Sequence, residues 1–175
     1  MKLIRLGLTL MLGLTMLLPA GAATLAEEVD EAIELFVTRD PGMQKFFDES
    51  VGYAVFPKII KGGLGIGGAR GKGLVFADGR VIGEAVLTQG TIGFQAGGQV
   101  YAEVIFFESQ RALNDFKGGN FELSAQASAV AAAEGVSANA RYEFGVLIFT
   151  VARGGLMYEA SVGGQKFGFK PNPEG

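Results

Sequence analysis

The chain has 175 residues, 49% hydrophobic and 19% charged, which suits one folded domain with a buried core. It contains no cysteine and no histidine, so disulfides, thiolate metal sites, cysteine nucleophiles, a lipoprotein lipid anchor and the usual general base near neutral pH are all removed. A formal charge of -3 argues against nucleic acid as a partner. No close pair of acids suggests tuned carboxylate chemistry, so no catalytic residue, no metal and no cofactor is expected.

The first 23 residues read as a secretory signal peptide: Lys2 and Arg5, an apolar run from Leu6 to Leu18, then small residues at Ala20, Ala22 and Ala23. The run is too short to span a bilayer, and cleavage after Ala22 or Ala23 leaves a single domain over 24–175. Losing Lys2 and Arg5 takes the charge to -5. The expected location is periplasmic or secreted, with peripheral membrane association as an option.

Thr24 and Glu27 have the spacing of a capping box, and Leu25, Val29, Ala32, Ile33 and Phe36 fall on one helical face. A helix is therefore expected from Leu25 to Thr38. It is acidic, carrying Glu27, Glu28, Asp30, Glu31 and Glu34. Asp40 before Pro41 predicts a second, short helix that ends near Ser50 and carries Met43, Phe46 and Phe47 on one face.

From Gly52 the period changes to two. Tyr53–Phe56 reads as a short strand stopped by Pro57, followed by KGGLGIGGARGKG from Lys61 to Gly73, in which one side of a strand has almost no side chains. A bare face of this kind means that another backbone, a corner or a ligand comes close. Asp78-Gly79 marks a hairpin turn into Val81–Leu87. In Thr91–Phe107 the even positions are apolar and the odd ones include Gln95, Gln99 and Glu103, which predicts one core face and one wetter face.

Ser109 can cap a helix through Ala112, Leu113 and Phe116, ended by Gly118 and Gly119. Alternation then predicts strands over Phe121–Ala133, Val136–Phe144, Val146–Ala152, Leu156–Val162 and Lys166–Lys170. The fold expected is α+β and mainly β: seven or eight antiparallel strands in a strongly curved or barrel-like sheet, with two N-terminal helices and one middle helix packed outside.

The segment GLGIGG matches a dinucleotide fingerprint, but that motif requires a following helix, and here another glycine-rich strand follows. Lys58, Lys61, Arg70, Lys72 and Arg80 form the basic cluster of the region, and they are the candidate lipid-binding residues. The bland alternative is a solvated face that answers the acidic first helix. Phe46, Phe47, Phe106, Phe107, Phe116 and Phe121 could line an acyl-chain pocket, although core packing accounts for most of them.

Four ordered blocks carry a resemblance to a known family: GYAVFPKIIKGGLGIGGARGKG at Gly52–Gly73, LTQGTIGFQAGGQ at Leu87–Gln99, FKGGNFELSAQASA at Phe116–Ala129 and GGLMYEASVGGQKF at Gly154–Phe167. The chain resembles the SYLF family of lipid-binding domains, which includes yeast actin-patch regulators. The resemblance implies a lipid-binding module without catalysis. It departs from eukaryotic relatives in one respect: their phosphoinositide binding is associated with a basic N-terminal helix, whereas Leu25–Thr38 here is acidic. For an exported protein, actin is not an expected partner. The expected function is a non-catalytic domain that engages anionic phospholipid or an envelope membrane surface. The alternative is a periplasmic scaffold or stress-related interaction module that contacts an envelope protein through the acidic helix.

Overall fold

The computed structural model describes residues 22–119, 121, 129–154 and 162–173. All but the last two residues of the expected signal peptide, most of the strand expected over Phe121–Ala133 and all but the last residue of Leu156–Val162 lie outside the described residues. The chain enters through helix α1, Leu25–Arg39, whose capping box forms as expected. The Thr24 backbone N–H donates to Glu27 Oε2 at 2.7 Å, and the Glu27 N–H donates to Thr24 Oγ1 at 3.3 Å. Val29, Ala32 and Phe36 on its inner face are fully buried.

Asp40 ends this helix and opens the next. Its Oδ1 accepts from the Gly42 N–H at 3.0 Å, capping a 3-10 turn over Pro41–Met43 that leads into α2, Gln44–Glu49. Its Oδ2 accepts from the Ser137 N–H at 2.7 Å, tying the N-terminal helices to a segment 97 residues away. Burial pushes the Asp40 carboxyl up, but the hydrogen bonds from Ser137, Gly42 and Gly135 outweigh it and hold the group below its ordinary value.

Two long strands dominate the molecule, β1 at Gly52–Ala77 and β2 at Arg80–Phe107, paired antiparallel. Asp78 and Gly79 join them with φ of 50° and 70°, as a two-residue hairpin turn of this hand requires. Pro57 does not stop the first strand. The ladder shifts register between Phe56 and Ile59, so the proline sits in a bulge where its missing N–H removes no ladder bond.

At 26 and 28 residues these strands far exceed the usual length, and the ribbon they form bends. The register shifts again between Gly63 and Gly65. Beyond that shift, the second arm of β1 returns along the first. A Cβ built on Gly52 would lie 2.5 Å from the Phe76 carbonyl oxygen, one on Gly71 2.7 Å from Ile59 Cγ1, and one on Gly73 2.8 Å from Phe56 Cδ1 and against the Val55 carbonyl. The bare glycine face is thus filled by the other arm of the same strand.

Each arm of the ribbon recruits a further strand. β4, Val146–Gly154, pairs with the Val100–Phe107 arm of β2, and β5, Gln165–Pro171, pairs with the Gly83–Gln89 arm. Counted by arm the sheet has seven segments, although only five continuous strands occur among the described residues. One pairing is parallel, where β3, Val130–Ala131, meets β4 at Phe149 and Thr150. Among the described residues the sheet is therefore curved and mainly antiparallel, and it does not close.

Val136–Phe144 is not a strand. Gly135 at φ 75° starts a 3-10 turn over Val136–Asn139 instead, held by the Asp40 carboxylate. α3, Gln110–Lys117, begins at Ser109, whose Oγ accepts from the Ala112 N–H at 3.3 Å. The core has two parts. Ala54, Phe56, Val75, Ile105, Phe107 and Phe167 fill the space between the arms, while Val55, Leu74, Val104, Phe106 and Phe149 pack under α1 and α2.

Candidate functional site

The alternation that turns Gly71 and Gly73 inward turns their neighbours outward. Arg70 and Lys72 are exposed on the face of β1 that looks toward the start of α1. Lys58 and Ile60 reach the same place from the first arm. Together with Leu25 and Glu28 of α1 they line a cleft of about 510 Å³, floored by Gly71. Leu25 and Ile60 make its walls apolar, and three cations rim it against one acid.

None of Lys58, Arg70 and Lys72 forms an ion pair within 4.0 Å among the described residues. Glu28 thus lies in the same cleft as the cations without neutralising them by contact. Ile60 is 57% exposed, so the cleft presents apolar surface directly beside free positive charge.

The remaining two members of the basic cluster are placed elsewhere. Lys61 follows the inward parity of Ile59 and is only 6% exposed; burial pushes its amine below the ordinary value. Arg80 is exposed beside the Asp78-Gly79 turn, at the opposite end of the ribbon from the bend. A second hollow of about 540 Å³ opens near that turn, lined by Phe47, Asp48, Tyr53, Asp78 and Gly79 among others, and Arg80 is not part of its lining. Burial, followed by the charges of Asp30 and Asp48, raises the Tyr53 phenol there.

The described candidate phenylalanines divide between the two cores. Phe46 packs on Phe106 at 5.6 Å under the helices, and Phe107 packs on Phe116 at 5.0 Å between the arms.

Alternation along β2 misplaces Glu103. Both faces of this arm are covered, one by the helices and the other by the second arm of the ribbon, so the position expected to be wetter is fully buried. Gln165 Nε2 donates to Glu103 Oε2 at 3.1 Å and to the Tyr101 hydroxyl at 3.5 Å; all three residues are 0% exposed. Burial pushes the Glu103 carboxyl up to about 8, and the Gln165 hydrogen bond offsets only part of this. Burial and then the neighbouring Glu103 raise the Tyr101 phenol as well. At neutral pH Glu103 is thus a neutral acid inside an apolar interior. Thr150 stands opposite it on β4, and among the described residues no group of three acids gathers that could hold a metal.

Residues 88–171 match the Ysc84 family model, whose description is Las17-binding protein actin regulator. The matched span holds Glu103, Thr150 and Gln165; the three cleft cations precede it. The chain is also 28% identical over 141 residues to Beta cell expansion factor A of Aeromonas veronii, covering 79% of this chain and 53% of that protein. The chain spans about half the length of that relative.

Proposed function

This chain belongs to the SYLF (Ysc84) family, a lipid-binding type of domain that is in general non-catalytic, and from that premise we propose that it docks on anionic phospholipid through the cleft of Lys58, Arg70 and Lys72. One observation carries the reading: three cations without ion-pair partners converge, from two arms of one bent strand, on a cleft with apolar walls. Near an anionic leaflet each such cation contributes about 1 kcal/mol. The cleft thus offers headgroup attraction and apolar contact together. In this reading Lys61 and Arg80 take no direct part, the first because its amine is buried and the second because of its place on the ribbon. The membrane is that of the cell envelope, reached by export through the N-terminal signal peptide.

Cosedimentation of the purified protein with phosphatidylglycerol-containing vesicles tests this. The triple variant Lys58→Glu, Arg70→Glu and Lys72→Glu is expected to lose about two orders of magnitude in affinity while remaining folded. Equal partitioning of the native protein to anionic and neutral vesicles sinks the proposal.

A protein-docking role is the second reading. It is favoured by the outer face of α1, where Glu27, Asp30, Glu31 and Glu34 are all exposed. Reversing these four to lysine should abolish capture of an envelope partner and leave vesicle binding intact if that reading holds.

A further inference from the structure

The bend of the β1–β2 ribbon differs from the rest of the molecule in charge. From Gly62 to Ala69 β1 carries no charged residue, and β2 carries none between Glu84 and Glu103. Charges resume immediately behind the bend on the outer face, as the cleft cations Lys58, Arg70 and Lys72. At the opposite end Asp78, Arg80, Glu108 and Glu143 mix both signs. Ile66 is at the bend, 79% exposed, and Ile60, 57% exposed, lines the cleft behind it.

A scattered exposed isoleucine needs no explanation. One on an uncharged tip and a second in the cleft of free cations behind it form the pattern of an interfacial membrane anchor, in which apolar residues enter below the headgroups and cations stay among them. We propose that the bent end of the ribbon inserts into the outer acyl region of an anionic bilayer, with Ile66 leading and Ile60 following. This inference rests on the docking role proposed for the cleft and adds depth and orientation to it.

The backbone of the bend meets the main objection to burying strand in lipid. Unpaired N–H and C=O groups are costly there, but the ladder closes in on the bend from both sides, leaving only residue 64 of β1 and residues 94–96 of β2 outside the register. Gly62 pairs with Gly98, Gly63 with Gly97, Gly65 with Gly93 and Ile66 with Ile92. Glycine adds no polar side chain to desolvate. Depth is limited by geometry: Ile66 lies four residues from Arg70, at most about 13 Å of extended strand, so cations held at phosphate level allow only interfacial penetration.

The chain contains no tryptophan, so Ile66→Trp is a single reporter at the tip. Phe144→Trp is the matched control, because Phe144 is 81% exposed beside the Glu143–Val146 bridge at the other end of the ribbon. With phosphatidylglycerol vesicles containing brominated acyl chains, the tryptophan at 66 should shift to the blue and be strongly quenched, and the one at 144 should do neither. Ile66→Ser should weaken vesicle binding about tenfold. Cosedimentation without quenching at 66 overturns the insertion and leaves cleft docking standing. Quenching at 144 rather than 66 overturns the orientation, and absence of cosedimentation overturns both the insertion and the docking. Equal quenching at 66 in neutral vesicles supports the insertion and overturns the role given to the cations.

Discussion

The two faces of β1 between Arg70 and Leu74 differ in what a change there should do. On the inner face Gly71 and Gly73 leave space that the first arm of the same strand occupies to within backbone contact. On the outer face Arg70 and Lys72 touch little and stand in solvent beside the cleft. Adjacent residues thus divide the work: the inward ones allow the fold, and the outward ones are free to be selected for binding.

The contrast is broken most severely from the inside. Gly73→Val places a side chain against the Val55 carbonyl and the Phe56 ring, neither of which can swing away, and should cost more than about 3 kcal/mol. That is a large fraction of the roughly 5–15 kcal/mol that holds a domain together, so a marked loss of folded protein by circular dichroism on heating is the expected outcome.

The buried acid gives the next largest effect. Because Glu103 rises from 4.5 to about 8 on folding, the folded state holds a proton that the unfolded state releases, and stability is complete below pH 4.5. It declines by a few kcal/mol as pH rises toward 8 and then levels off. Thermal melts across this window should show the decline in the native protein and a flatter profile in Glu103→Gln.

Asp40→Asn should cost about 2 kcal/mol, since it weakens charge-assisted bonds to both Gly42 and Ser137. Urea unfolding at pH 7 measures it. The smallest effect on stability belongs to the outer face: Arg70→Glu with Lys72→Glu should change urea unfolding by less than about 0.5 kcal/mol while lowering vesicle binding. A large destabilisation by this pair would erase the contrast between the faces.

Much of this was legible in the chain because the signals were local. The capping box at Thr24 and Glu27, the Asp40-Pro41 start, the Asp78-Gly79 turn and the Ser109 cap all depend on residues within a few positions of each other. The bare face of the glycine run also showed that something must approach it. By contrast, Pro57 was expected to end a strand, and the Val136–Phe144 alternation resembled one; both were decided by distant partners, the β2 ladder and the Asp40 carboxylate.

The candidate site shows the same division. Composition and spacing by themselves determined that a basic cluster exists, that it flanks an uncharged glycine-rich stretch, and that its outward members alternate with bare inward positions. Only the tertiary structure decided which cations meet, because the fold-back brings Lys58 to Arg70 and Lys72, buries Lys61 and leaves Arg80 at the far turn. It also decided the burial of Glu103, since periodicity reports which residues share a face and cannot report what covers that face. The physical reason is that one register shift between Gly63 and Gly65 folds the whole ribbon onto itself, turning an outer face into an interior.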